Sequence, residues 1–447
     1  MKRFYIDKLE KWLDKSNRKP LVLSGARQVG KTWLLKEFGR THFDRVAYVN
    51  FERHPEIGAL FEGAFDFRRI LTGLQAACGE QIDPGRTLVI LDEIQLCGAA
   101  LTGLKYWQEE HNDYVVAAAG SLVGLALMEG TGYPVGKTNT MTLYPMTFGE
   151  FLVAIGEEEL WQLVESGDAK LLRAFDAKLR DILKAYLLVG GMPAAVDVYV
   201  QTLSLLDVRA VQQDILSDYA RDFSRHAPKR EVPRIAAIWD SLPRQLAKED
   251  KRFVSAEVIV EGNKARARDL HDPFAWLEAA GLAYRIWNVT KPSLPLASYR
   301  NHMFKLFGLD VGLLAAQSHL APSAVMDGNR AFTEFKGALT EQYVQQELRA
   351  CLETEPFTWA PSDSSAEIDF LVESSDGVVP IEAKAERNLQ AKSLGVYRSK
   401  FAPSLSVRTS LADLRETDGL WDIPLYALAP VSRRLFKETE PSAMSTC

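Results

Sequence analysis

The sequence predicts an α/β protein in three parts. A parallel sheet covered by helices on both faces stands at the amino end, a mostly helical, winged-helix-like segment follows, and a small α/β segment lies towards the carboxyl end. Three observations predict this. Five short apolar segments, near residues 21–24, 46–51, 87–91, 115–119 and 139–143, are separated by stretches long enough for crossover helices, as parallel pairing requires. From residue 196 to 325 the pattern turns helical with short strands. After residue 330 a helix over 331–351 is followed by Phe357-Thr358-Trp359 and by two strands that meet at the turn Ser374-Ser375-Asp376-Gly377. The boundaries expected from these shifts are 1–195, 196–328, 329–432 and a loose polar tail over 433–447.

Composition narrows the class. The chain has 447 residues, 47% hydrophobic and 25% charged, with a formal net charge of −6, which is globular and argues against an all-over basic coat for nonspecific nucleic-acid binding. The cysteines Cys78, Cys97, Cys351 and Cys447 form no C-x-x-C pair, so neither a zinc ribbon nor a redox motif is expected and a reducing cytoplasm fits. No stretch is apolar for the length of a membrane span, and the first residues lack a signal-peptide core.

The first strand, Leu21-Val22-Leu23, leads into Gly25-Ala26-Arg27-Gln28-Val29-Gly30-Lys31-Thr32, the pattern G-x-x-x-x-G-K-[ST]. Its glycines let the backbone bend so that N–H groups point at phosphate oxygens, and the helix that begins with Trp33-Leu34-Leu35 adds its positive dipole end. Lys31 is expected to reach the β- and γ-phosphates of a nucleotide, and the Thr32 hydroxyl to hold Mg²⁺. The segment Gly132-Tyr133-Pro134-Val135-Gly136-Lys137-Thr138 has the wrong spacing for a second such loop and reads as a surface turn.

The third strand, Thr87-Leu88-Val89-Ile90-Leu91, is apolar throughout, as in a strand buried on both faces, and ends in Asp92-Glu93. Carboxylates there lie at the sheet edge where ligands bind, so Asp92 is expected in the Mg²⁺ shell and Glu93 as the base for an attacking water. The fourth strand, Val115 to Ala119, ends at Gly120-Ser121, and its order in the chain suits Ser121 as a sensor of the γ-phosphate.

In the middle segment Asp272-Pro273 reads as N-cap and first-turn proline, with Gly281 closing the helix and a strand over 282–287 following. Helices followed by a hairpin suggest a winged helix-turn-helix, with Arg266 and Arg268 upstream of its recognition helix; a packed helical lid with solvated charges fits the residues equally. In the last segment Asp369, Glu382 and Lys384 form D-x(n)-E-x-K on a strand pair, with Glu341 on the helix before. Two carboxylates suit a hard divalent cation and the lysine a water or phosphate; on residues alone an exposed ion pair on an edge strand fits equally.

Taken together, these words resemble a prokaryotic family of AAA-like ATPases that ends in a domain similar to the restriction-endonuclease superfamily. The resemblance runs through Leu23–Thr32, Val49-Asn50-Phe51-Glu52, Leu91-Asp92-Glu93-Ile94-Gln95, residues 143–151, Gly190-Gly191-Met192-Pro193, residues 305–314, Glu367-Ile368-Asp369-Phe370 and Ile381-Glu382-Ala383-Lys384. It implies an ATP- and Mg²⁺-dependent ATPase core, a winged-helix middle and a nuclease-like end in which Glu341, Asp369 and Glu382 hold metal and Glu382 and Lys384 act on DNA. An ATP-switched module that holds DNA or a protein partner without cutting is a second reading, and a structural signalling ATPase with an inert E-x-K strand is a third. Where the family carries Gly-Arg, this chain has Gly136-Lys137, so no arginine finger is assigned.

Overall fold

The computed structural model describes residues 1–121, 134, 136–323, 330–361, 366–387 and 392–436. The chain divides into two compact units, one of residues 2–144 with 279–282, the other of residues 145–278 and 283–447.

In the first unit β1 (Leu21–Ser24), β2 (Arg45–Asn50), β3 (Thr87–Asp92), β4 (Val115–Ala119) and β5 (Asn139–Thr142) form one sheet in the order β2-β3-β4-β1-β5. Every pairing in it is parallel. The apolar runs of β1, β3 and β4 are buried along their whole length, as strands covered on both faces must be. On one face Val22, Val89, Leu91 and Val116 pack with Ile70 and Leu74 of α3 (Phe67–Cys78) and with Leu101, Leu104 and Trp107 of α4 (Gly98–Glu110). On the other lies α2 (Lys31–His42); a Cβ at its Gly39 would come within 2.6 Å of Val46 and 3.2 Å of Leu88, so glycine lets this helix seat closely. Part of the expected surface turn over 132–138 lies outside the described residues; Gly136 takes φ +74 and Lys137 pairs with Glu109 at 2.7 Å.

The second unit begins with helices. The stretch 147–188 is four of them, Phe148–Ala154, Glu158–Ser166, Ala169–Ala174 and Asp176–Val189; the first two breaks contain Gly156 and Gly167, which take φ +80 and +58, and the third is at Phe175. A capping box opens the first: the Thr147 N–H donates to Glu150 at 2.9 Å and the Glu150 N–H to the Thr147 hydroxyl at 3.3 Å. Further on, the helix expected to be capped at Asp272 already contains that residue, spanning His271–Ala279.

Further strands follow. β6 (Ile259–Val260) and β7 (Asn263–Lys264) make a short hairpin. The rest are β8 (Ala283–Val289), β9 (Arg300–Gly308), β10 (Phe357–Trp359), β11 (Ile368–Ser374), β12 (Gly377–Ala383), β13 (Ser406–Ser410), β14 (Arg415–Thr417) and β15 (Leu420–Pro424), which form one sheet in the order β14-β15-β13-β12-β11-β10-β8-β9. β8 pairs with β10 through Asn288 and Thr358, so hydrogen bonding crosses residue 328 and the expected segments 196–328 and 329–432 share one sheet. The tail expected from residue 433 begins inside a helix, Leu428–Leu435, and residues 437–447 lie outside the described residues.

Two sequence words interlock here. Asp310 accepts the Gly191 N–H at 2.6 Å and caps the helix Val311–Gln317 through the Leu313 N–H at 3.0 Å. A Cβ at Gly191 would lie 2.0 Å from the Met146 carbonyl oxygen, and one at Gly312 2.5 Å from that of Val189. The helix Arg330–Leu352 then clamps the same strand end. Gln342 both accepts from and donates to the Gly308 backbone, at 2.9 and 2.8 Å, and Gln346 accepts the Val311 N–H at 3.0 Å.

Candidate functional site

The first candidate site lies at the carboxyl ends of β1 and β3. The loop after β1 bends through Gly25 at φ +154, Gln28 at +65 and Gly30 at +95, the last directly preceding α2. A Cβ on Gly25 would lie 2.5 Å from the Leu143 carbonyl oxygen, so only glycine fits. Ala26 and Val29 are buried, while Arg27 is half-buried and Gln28 exposed. Arg3, itself buried, ties the loop down by donating to the Val29 carbonyl at 2.9 Å and to that of Tyr144 at 2.8 Å.

Lys31 is buried, and its ammonium donates to the carbonyls of Gly25 at 3.0 Å and Ala26 at 2.9 Å. Burial lowers its pKa to about 8, against the opposing pull of Glu93 and Asp92 and with help from Arg27. The Thr32 hydroxyl donates to Asp92 Oδ2 at 2.9 Å. Parallel pairing of β2 with β3 sets Asn50 beside Asp92, and Asp92 Oδ2 also accepts from Tyr48 at 2.8 Å and Asn50 at 3.3 Å. Burial and the Asp92 bond push the Tyr48 phenol up to about 12, so it stays a donor. A hydroxyl and a carboxylate converging from loop and strand are the hard oxygen donors that suit Mg²⁺. Glu93 follows at φ +53, half-buried, and accepts from Gln95 at 2.6 Å. The Gly120 N–H donates to Leu23 at 3.2 Å, which sets Ser121 at the same sheet edge as the loop.

The sequence therefore leads to Lys31, Thr32 and Asp92 as neighbours, with Glu93 beside them. It does not lead to Arg3, Tyr48 or Asn50. Asn50 stands in one of the words carrying the resemblance; Arg3 carries no local signal, because its partners are 26 and 141 residues away.

The second candidate site lies within the second unit, and its setting differs from the expectation. β12 is interior, between β11 and β13, so Glu382 is not on an edge strand; it is buried and pairs with Lys384 at 2.6 Å. Asp369 on β11 accepts the Ala383 N–H at 2.9 Å, so the hairpin brings Asp369 and Glu382 together as the pattern requires. Glu341 comes in from the helix. The group among these carboxylates is a lysine. Lys305 of β9 places its ammonium 3.2 Å from Glu341, 3.3 Å from Asp369 and 2.5 Å from Glu367. Lys251 takes the other Glu341 oxygen at 2.6 Å. Glu341, Asp369 and Glu382 thus do not face a shared metal-sized space, and among the described residues no three His, Cys, Asp or Glu side chains are arranged to hold a metal ion.

Electrostatics follow the contacts. Burial opposes the Lys305 charge, but Glu341, Asp369 and Glu367 hold its pKa well above the usual lysine value. Burial also opposes the Glu341 charge, and Lys305 with Lys251 outweighs it, so that carboxyl sits below its ordinary value. Asp369 is pushed up to about 8 by burial and Glu341, against Lys305. Burial raises Glu382 as well, with Lys384 opposing.

Three family models match in succession. One described as an AAA domain covers residues 17–152, a domain of unknown function (DUF8612) covers 180–324, and another domain of unknown function (DUF4143) covers 336–428. The amino-terminal domain is thus of the AAA-like P-loop ATPase type. No curated protein matches the chain. Among solved structures, the Walker-type ATPase PABY2304 of Pyrococcus abyssi is similar at 14% identity and a TM-score of 0.43, over 70% of this chain and 94% of that one. The Aeropyrum pernix Orc1 protein in complex with DNA follows at 14% identity and 0.25, over 72% and 93%. The Thermotoga maritima RuvB Holliday junction branch migration motor has 14% identity and 0.28, over 62% and 87%. No helix among the described residues is long and apolar enough to cross a membrane.

Proposed function

We propose that this chain binds ATP at the Gly25–Thr32 loop and hydrolyses it. The observation that carries the reading is the meeting of Thr32 Oγ1 with Asp92 Oδ2 at 2.9 Å, beside a buried Lys31. In this reading the backbone amides of Ala26 to Lys31 and the start of α2 receive the phosphates, and Lys31 exchanges its two carbonyl partners for β- and γ-phosphate oxygens. Thr32 and Asp92 hold Mg²⁺, which when bound neutralises phosphate charge and so eases bond breaking. Glu93 takes the proton of the attacking water, and Ser121 bonds the γ-phosphate or that water. Phosphate release measured with ATP and Mg²⁺ tests this: Lys31→Ala abolishes turnover, and an unchanged rate rejects the site.

The remainder of the chain acts, in this proposal, as a module that grips DNA as ATP is turned over. Lys264, Arg266 and Arg268 stand exposed at the β6–β7 hairpin and just before the helix His271–Ala279, the place a winged helix would present to a phosphate backbone. Holding is favoured over cutting because Lys305 stands among the carboxylates that a nuclease would give to metal. Salt-dependent binding to duplex DNA that weakens in the double variant Arg266→Ala/Arg268→Ala supports the grip; equal binding by that variant removes it, and a protein partner becomes the reading to pursue. Cleavage of DNA with Mg²⁺ or Mn²⁺, lost in Lys384→Ala with ATPase kept, restores the nuclease-like reading of Asp369, Glu382 and Lys384.

A further inference from the structure

The expected metal centre and the structure disagree, and the disagreement has a definite chemical form. A divalent cation bridging Glu341 and Asp369 needs Glu341 Oε2 and Asp369 Oδ1, the same atoms that face the Lys305 ammonium at 3.2 and 3.3 Å. Metal–oxygen bonds of about 2.0–2.6 Å to those atoms leave no room for the ammonium between them. Lys305 is 1% exposed, and its strand position pairs with Ile286 of β8, so displacing its ammonium would strand a charge in the interior. Four acids, Glu341, Glu367, Asp369 and Glu382, already meet three ammonium groups, Lys251, Lys305 and Lys384, so a metal would add to a cluster that is close to neutral whether or not Asp369 holds its proton. One acceptor has no counterpart: Glu382 Oε2 is buried without a hydrogen-bond partner among the described residues.

We propose that Lys305 takes the place of the divalent cation, so that this centre is a metal-independent ion cluster that ties β9 to β11 and to the helix Arg330–Leu352. The ammonium does for Glu341, Glu367 and Asp369 what a metal would do in a nuclease-like site, and the lysine comes from outside the D-x(n)-E-x-K pattern. Removing the charge leaves Glu341, Glu367 and Asp369 facing one another and converts the place of the ammonium into a vacancy for a hard cation. This inference rests on the cluster geometry alone and stands apart from the ATPase reading.

The test is Mn²⁺ binding by the full chain in nucleotide-free buffer, followed by calorimetry and by the loss of the free Mn²⁺ signal in electron paramagnetic resonance. The unaltered chain and Asp369→Asn are expected to bind Mn²⁺ alike. Lys305→Met, which keeps the length of the stem, is expected to melt about 10 °C lower in EDTA. It is also expected to gain one Mn²⁺ site at least about tenfold tighter than any the unaltered chain has at this centre, with Mn²⁺ recovering the melting temperature. The double variant Lys305→Met/Asp369→Asn is expected to lose that site. A Mn²⁺ site in the unaltered chain that Asp369→Asn removes overturns the proposal, and so does a folded Lys305→Met that gains no site. Should Lys305→Met not fold, the comparison of the unaltered chain with Asp369→Asn and with Glu341→Gln decides the matter, because neither needs Lys305 altered: equal Mn²⁺ binding in all three supports the proposal, and a site lost in either variant overturns it.

Discussion

Two lysines in this molecule are both buried, Lys31 at 9% exposure and Lys305 at 1%, and they differ in what balances them. Lys31 donates to two main-chain carbonyls, and burial takes its pKa down to about 8. Lys305 is held by three acidic side chains, Glu341, Glu367 and Asp369, and its pKa stands well above the usual value although burial opposes it. Carbonyl dipoles satisfy hydrogen bonds without cancelling charge, so Lys31 is left with attraction to spare for a phosphate. Carboxylates cancel the charge, so Lys305 has none to offer. A buried lysine beside acids is thus a binding group in one setting and a structural counter-ion in the other, and the partner atoms decide which.

The comparison breaks most directly at Lys31. Lys31→Ala is expected to lower the ATP hydrolysis rate by about a thousandfold, read as phosphate release with saturating ATP and Mg²⁺. Turnover within a few-fold of the unaltered chain would show that this lysine has no more to give than Lys305. Next in size, Glu93→Gln should cut turnover by about a hundredfold while the ATP dissociation constant moves less than about twofold, since the base acts on water and not on the bound phosphates. A parallel rise in that constant would assign Glu93 to binding instead.

A pH titration sharpens the electrostatic half. Because the Lys31 pKa is lowered to about 8 in the free protein, the ammonium is present below that pH and lost above it. Affinity for ATP measured in EDTA should therefore be flat up to about pH 7 and weaken about tenfold by pH 9. The Lys31→Arg variant, which keeps its charge over this range, should show a flat profile; a flat profile in the unaltered chain would contradict the low pKa. The smallest expected effect is at Arg3. Arg3→Ala should cost about 1–2 kcal/mol in denaturant unfolding of the first unit and loosen nucleotide binding a few-fold, because the Val29 and Tyr144 carbonyls lose their donor.

Much of the first site is legible in the sequence, for physical reasons. The loop spacing, the apolar run of β3 and the acids at its end are local signals, and parallel pairing converts them into a shared edge that holds Lys31, Thr32, Asp92 and Glu93. Tyr48 and Asn50 are not legible as Asp92 partners, because their contact depends on β2 lying beside β3 in one register. In the second unit the hairpin that brings Asp369 towards Glu382 is legible from the turn at residues 374–377 and the alternation of the strands. The central position of β12 is not, since β13 pairs with it, and β15 with β13, from beyond the motif. The helix over 331–351 reads as a helix by its apolar face, whereas Gln342, Gln345, Gln346 and Glu347 are buried too, where Gln342 and Gln346 bond the backbone and Glu347 accepts the Phe148 N–H at 2.8 Å.

The parallel sheet of the first unit and the nucleotide-type loop upon it follow from short-range spacing: glycines that permit a bend, apolar runs that must be covered, a helix that must start. The meaning of the second acidic cluster comes instead from long-range packing. Lys305 lies 36 residues before Glu341 and 64 before Asp369, and nothing local marks it as their partner. Coulomb attraction acts through space, so the partner of a buried charge is set by which strands the fold lays together and not by distance along the chain.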